Sequence, residues 1–305
     1  MEKVVEVNNL KKYYGDIKAV DGISFDVYRG EIFGMLGPNG AGKTTTIEIM
    51  EGLRIQDSGE AKIFGLHNIH DREKIKMHIG VQLQETSFIE NLTVCETVKL
   101  FRNLYNKVGD EAHLISTFFL EDKKNSLIKT LSGGQKQRLS ILLSLINDPD
   151  TIFLDEPTTG LDPQARRNIW EIIIDLKRNG KTIFLTTHYM EEAEKLCDRV
   201  LIIDHGKVIA LDSPERLIKE NFEETPVDIK FTQSIESLMF DNLNFVSRTL
   251  KEEDVITVYM KNFEENLPSL LNFINLRGLK MKEMKIRKPT LEDVFLKLTG
   301  RRIRE

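Results

Sequence analysis

Cysteine is scarce in this chain of 305 residues: there are two, Cys95 and Cys197, far apart and in no CxxC pair. That excludes a disulfide framework and a cysteine-based zinc site, and it fits a reducing compartment. Long apolar runs are missing as well. The densest, LSILLSLI (139–146), falls far short of the ~20 residues needed to cross a bilayer. The opening MEKVVEVNNLKKYYG has no apolar core of a secretion signal. Positive charge is not in excess: the formal net charge is −5, which gives no global attraction to nucleic acid. With 40% apolar and 30% charged residues the composition is globular, and the length suits two domains.

Residues 4–36 carry short alternating runs (VVEVNNL, ISFDVY, EIFGML) between turn residues, and they read as strands, the last ending at Leu36. Helical sequence is expected from Gly42 to about Gly52, and Thr93 is an N-cap for ETVKLFRNLY. The runs TIFLD (151–155), TIFLTTH (182–188) and VLIIDHG (200–206) are nearly unbroken apolar stretches, the mark of buried parallel strands. Asp162 and Pro163 open a helix that closes near Gly180. Alternating strands and helices imply an α/β fold with a mostly parallel sheet. Composition shifts near Ser213–Pro214. Beyond a helix at 214–221, the order PVDIKFT, SIESLMF, NFVSRTL, VITVYMK, ENLPSLLNFINL, KMKEMKIRK and TLEDVFLKL predicts β-α-β-β-α-β, a ferredoxin-like α+β domain with an added helix. The expected domains are 1–221, with a helical subdomain at about 85–145, and 222–305.

Chemistry enters with GPNGAGKT between a strand and a helix. Its residues Gly37, Pro38, Asn39, Gly40, Ala41, Gly42, Lys43 and Thr44, continued by Thr45, form a P-loop. Glycines let backbone N–H groups wrap phosphates at a helix N-terminus. Lys43 then bridges the β- and γ-phosphates of ATP, and the Thr44 hydroxyl ligates Mg²⁺. Asp155 closes a buried strand and suits Mg²⁺ too, while Glu156 beside it is placed to orient or deprotonate the attacking water. Ser132, Gly133, Gly134 and Gln135 in LSGGQKQR stand at a helix start, a second phosphate-binding terminus.

LSGGQKQR resembles the signature of ABC ATPases, so the expected architecture is a P-loop NTPase core of ABC-ATPase type with an N-terminal β-subdomain and a helical subdomain. The resemblance covers residues 3–215 and implies a head-to-tail dimer in which one subunit's signature faces the nucleotide on the other's P-loop. It further implies that Tyr14 stacks on adenine, with Tyr13 its rival. Gln84, rather than Gln82, touches Mg²⁺ and reports to the membrane partner; Asp162 crosses the dimer interface; His188 hydrogen-bonds the γ-phosphate. KPTLEDVFLKLTGR (288–301) looks like the tail of drug- and antibiotic-resistance-type export ATPases, although Thr290 and Asp293 also make a capping box.

The implied role is the ATP-hydrolysing subunit of an ABC exporter, peripheral on the inner face of the cell membrane through a separate permease and paired with an identical or different ATPase subunit. Three other readings are an ABC ATPase acting on a macromolecular complex, an importer ATPase, and a regulatory module that holds ATP without hydrolysing it, the last opposed by the presence of both Glu156 and His188. The absence of a second fused unit and of coiled-coil insertions speaks against the first. Two further features carry less. His67 and His70 form an HxxH with no third ligand in sequence reach. The stretch from Arg277 holds ten Lys/Arg against four Asp/Glu, the composition of a solvated face.

Overall fold

The computed structural model describes residues 2–84, 86–105, 111–233 and 235–300. Glu85 at the expected start of the helical subdomain, and Arg301 of the tail motif, lie outside them. The chain divides into two compact units at Pro214/Glu215, so that most of the 214–221 helix groups with the second unit rather than the first.

In the first unit β1 (Lys3–Tyr14) and β2 (Ile17–Tyr28) form a long antiparallel pair, and β3 (Ile32–Leu36) leads into the P-loop and α1 (Lys43–Met50). Then come β4 (Ser58–Ile63), β5 (Leu66–His67), α2 (Arg72–Ile75), β6 (Ile79–Gln82), α3 (Val94–Tyr105), α4 (Glu111–Thr117) and α5 (Gly133–Ser144). The unit closes with β7 (Thr151–Asp155), α6 (Pro163–Arg178), β8 (Thr182–Thr187), α7 (Met190–Leu196), β9 (Arg199–Asp204) and β10 (Lys207–Asp212). One sheet has the order β2-β1-β4-β5 and is antiparallel; the other runs β10-β9-β3-β8-β7-β6, parallel except for β10.

Every residue of β3, β7 and β8 is buried, which is why these strands read as continuous apolar runs rather than alternating ones. A ladder of rings ties the two sheets together. Phe25 of β2 stacks on Phe33 at 5.5 Å, Phe33 on Phe184 at 5.5 Å, and Phe153 meets Phe184 at 5.6 Å. The local signals act as expected. Asp162 Oδ1 accepts from the amides of Gln164 and Ala165 at 2.9 Å each, with Pro163 next in α6. Thr93 and Glu96 cap α3 reciprocally.

In the second unit the elements are α8 (Pro214–Asn221), β11 (Thr225–Phe231), β12 (Val246–Glu252), β13 (Val255–Met260), α9 (Phe263–Leu276), β14 (Met281–Ile286) and α10 (Leu291–Thr299). The sheet order β12-β13-β11-β14, with antiparallel neighbours, is that of the expected ferredoxin-like topology. One expectation is corrected. Ser234 of SIESLMF lies outside the described residues, and among the rest only Ser237–Phe240 wind, as a 3₁₀ turn in place of the expected α-helix. Thr249 on β12 donates to the Ser237 carbonyl at 3.3 Å and to Asp241 Oδ1 at 2.6 Å, and Asp241 and Asn242 follow directly. Side-chain bonds of this kind compete with helix propagation.

Asp293 is the hub of this unit. It is almost fully buried and accepts from the Tyr259 hydroxyl, from Arg287 at 2.6 and 3.0 Å, and from the Thr290 amide at 2.8 Å. Burial alone raises its pKa, but Arg287, Tyr259 and the Thr290 amide outweigh that and hold it at about 2. Because this lies below the usual 3.8, the stabilisation is fully present above about pH 4 and is lost as pH falls towards 2. Asp293→Ala leaves Arg287 with Asp228 alone, at 3.1 Å, and the buried Tyr259 hydroxyl without its acceptor, and is expected to destabilise the second unit by about 3 kcal/mol. Calorimetry of the full chain at neutral pH checks this, and an unchanged transition refutes the hub.

Candidate functional site

The P-loop is shaped by backbone demands that only glycine meets. A Cβ on Gly42 lies 2.1 Å from the Ala19 carbonyl, and its φ is +105°; a Cβ on Gly37 lies 2.3 Å from the Ile203 carbonyl. The loop therefore rests against β2 on one side and β9 on the other. Lys43 folds back beneath it, donating to the carbonyls of Gly37 (2.9 Å) and Pro38 (3.3 Å). Ala41 is buried under the loop.

Above the loop is a cleft of about 410 Å³. Its lining brings together Tyr14, Asn39, Gly40, Gly42, Lys43, Thr44, Thr45, Gln84 and Glu156 from four separate segments of the chain. Ile17 and Ala19 of β2 complete the wall near Tyr14. Sequence reasoning did not single out these two; alternation along β2 marked a strand but gave no reason to single out those positions. Tyr13 points elsewhere, its hydroxyl donating to Asp21 at 2.7 Å. Gln82 is the buried last residue of β6, whereas Gln84 reaches the cleft.

Glu156 is the focus. Its Oε1 lies 3.1 Å from Lys43 Nζ. Its Oε2 accepts from Thr159 Oγ1 at 3.0 Å and Gln84 Nε2 at 3.4 Å, and His188 Nδ1 lies 3.1 Å away. Burial pushes the pKa of this carboxyl up, but His188 and Lys43 outweigh burial and hold it at about 2. The carboxylate is thus ionised throughout the physiological range. Its backbone has φ +48°, a costly conformation for a non-glycine residue. Thr186 pins it: the Glu156 amide donates to Thr186 Oγ1 at 3.0 Å and to the Thr186 carbonyl at 3.2 Å.

Asp155 is buried, and its carboxyl accepts from Thr186 and Thr44 hydroxyls. Burial raises its pKa and those two bonds oppose the rise. Hard oxygen groups on Thr44, Asp155 and Gln84 form a donor set that suits Mg²⁺. Thr159 and Thr186 went unnoticed in the sequence, since a threonine inside TTGLD or TIFLTT carries no chemical signature by itself.

Ser132, Gly133, Gly134 and Gln135 are not part of that cleft. Together with Gly160, Asp162 and Asn168 they line a separate groove of about 190 Å³. Ser132 caps α5, its amide donating to Gln135 Oε1 at 2.9 Å and its Oγ accepting from the Gln135 amide at 3.3 Å. So Gln135 is engaged within its own chain, in a capping box.

A strand–P-loop–helix unit beside a buried carboxylate pair defines a P-loop NTPase. A family model described as "ABC transporter" matches residues 20–159, and one described as the C-terminal domain of DrrA1-3-like ATP-binding proteins matches residues 216–299. The Nod factor export ATP-binding protein I of Ralstonia nicotianae is 36% identical over 307 residues, spanning 99% of this chain and 95% of its own. The protein of that name from Burkholderia pseudomallei is 38% identical over 302 residues, 97% of each. Among solved structures, cbiO1 from Clostridium perfringens, part of the ABC transporter complex cbiONQ, aligns with a TM-score of 0.65 at 27% identity, over 72% of this chain and 92% of its own. A dimeric ATP-binding cassette in a post-hydrolysis state, bound to ADP and Pi, aligns at 0.62 and 27%, over 68% and 98%.

The chain belongs to the ATP-binding subunits of ABC transporters and is an ATPase of that family. Nucleotide binding, pairing of cassettes and service to a membrane permease come with that membership. No helix among the described residues is long and apolar enough to cross a membrane.

Proposed function

We propose that this chain drives export through a separate permease, hydrolysing MgATP at a site completed by a second cassette. The observation that carries the catalytic part is the convergence of Lys43, Gln84, Thr159 and His188 on the one carboxylate of Glu156. Glu156, ionised and pinned at its backbone, orients and accepts a proton from the attacking water. Lys43 is shared: an arriving γ-phosphate competes with Glu156 for its ammonium, which loosens Glu156 and raises its basicity as substrate binds. His188 is close enough to Glu156 to serve both it and the phosphate. Thr44, Asp155 and Gln84 would hold Mg²⁺, which offsets charge on the phosphates.

The P-loop cleft and the Ser132–Gly134 groove lie in one chain as two separate cradles. This supports a head-to-tail pair in which each nucleotide meets a P-loop from one copy and a signature from the other, with Asp162 at the seam. Export is supported by the C-terminal match and by relatives named for export. Inside-out vesicles carrying the chain and its permease should accumulate cargo on addition of MgATP; ATP-driven loss of cargo from them would reverse the assigned direction.

Tyr14 is half-exposed at the mouth of the cleft, its hydroxyl accepting from Arg54 at 2.9 Å. Stacking on adenine is worth about 1–3 kcal/mol per base. Tyr14→Ala is accordingly expected to weaken ATP about 10-fold or more while leaving inorganic triphosphate affinity unchanged. Equal losses for both ligands in calorimetry would dispose of the stacking role.

A further inference from the structure

Glu192 of α7 is a charged residue with no accessible surface, and nothing in the reaction outlined above uses it. Its Oε1 accepts from Thr158 Oγ1 at 2.8 Å and from Trp170 Nε1 at 2.9 Å. Both partners are buried. Their places in the chain matter. Thr158 stands between Glu156 and Thr159, in the segment that runs on to Asp162, and Trp170 lies on α6, which that segment feeds. Glu192 itself stands in the first turn of α7, four residues after His188. A single carboxylate thus joins the strand-end that carries Glu156 to the strand-end that carries His188.

A second tie runs in parallel. Arg166, also on α6, lies over the Tyr189 ring at 4.2 Å, and the Tyr189 ring meets the His188 ring at 4.2 Å, tilted by 41°. Helix α6 therefore grips the His188 segment on both sides, through Glu192 and through Tyr189. A carboxyl buried this deeply is costly, and with Oε2 outside any hydrogen bond among the described residues the two bonds to Oε1 offset that cost, so the arrangement tolerates little displacement of either segment.

We propose that Glu192 is a positioning residue for hydrolysis: through Thr158 and Trp170 it holds the Glu156–Asp162 segment in register with His188, so that the groove containing Asp162 and the Glu156–His188 contact are set together. This rests on the assignment of Glu156 and His188 made above. Since Asp162 lines the same groove as the signature residues, docking of a second cassette there bears on His188 by way of Glu192.

The test uses steady-state MgATP hydrolysis by the purified full-length chain. Glu192→Ala is expected to lower kcat by about 10-fold or more with KM for ATP changed by less than about 3-fold, since misplacing a reacting group by ~1 Å costs up to about 100-fold. Glu192→Gln keeps an oxygen that accepts both bonds and is expected to stay within about 3-fold of the parent. Thr158→Val removes one bond without removing the carboxylate and should cost about 5-fold in kcat, which keeps the proposal testable if Glu192→Ala fails to fold. Combined with His188→Ala, Glu192→Ala should cost little more than His188→Ala alone. Multiplying losses in that double variant, or parental kcat in either Glu192→Ala or Thr158→Val beside an impaired His188→Ala, overturns the proposal. So does a Glu192→Gln variant as slow as Glu192→Ala, which assigns the effect to charge. Parental kcat in His188→Ala itself overturns instead the role given to the histidine.

Discussion

Glu156→Gln is expected to bind MgATP, to hydrolyse it at least about 100-fold more slowly, and to accumulate as an ATP-dependent dimer in size-exclusion chromatography. The reason lies in what the amide keeps and what it loses. Thr159 Oγ1 still has an oxygen to donate to, and the backbone clamp from Thr186 is untouched, so the site remains folded around the substitution. Lost is the negative charge that takes up a proton from water, and with it the step that reopens the pair. A variant that turns over at the parental rate removes Glu156 from the chemistry, whatever the fate of the rest of the site.

Lys43→Ala should do the reverse, abolishing tight binding before chemistry begins. The ammonium is buried, directed by the Gly37 and Pro38 carbonyls, and shared with Glu156. Loss of a charge-assisted bond to phosphate is worth up to about 3 kcal/mol, or roughly 100-fold in affinity. A second effect accompanies it: Glu156 then stays buried without its cation, and its carboxyl pKa rises from about 2 as the Lys43 contribution goes. Titration calorimetry with ATP reads the first effect, and unchanged affinity would argue that the loop does not hold the phosphates.

These two residues were legible because their chemistry is local to a short motif. Gly37 to Thr44 announces its own conformation: glycine at 37 and 42 is required by carbonyls 2.1–2.3 Å from where a Cβ would sit. Buried strands such as TIFLD and TIFLTT were legible for a related reason, since burial on both faces removes the alternation that a one-sided strand shows. What escaped was long-range. Thr186 supports both Asp155 and Glu156 from a neighbouring strand, and that pairing becomes visible only when β7 and β8 lie side by side in register. Ile17 and Ala19 needed the antiparallel sheet to be laid against the P-loop before they could line anything.

The SIESLMF segment failed differently. Ile235 and Phe240 are both buried and Met239 packs against them, so the pattern was right about the burial of these three. Local bonds from Thr249 then decided the backbone conformation against it. Periodicity reports which side of a segment is greasy; it does not report competing hydrogen bonds from a strand that follows later in the chain.

The close approach of Gly42 to the Ala19 carbonyl reaches beyond packing. Two residues before Ala19, Ile17 borders the mouth of the cleft, and two residues before Gly42 the loop turns over Gly40. Backbone touching backbone leaves no side chain to yield, so the Ile17–Ala19 wall and the loop keep a fixed separation. If Tyr14 and the loop hold opposite ends of one nucleotide, as proposed, their spacing is set by main chain and not by side chains that could adjust.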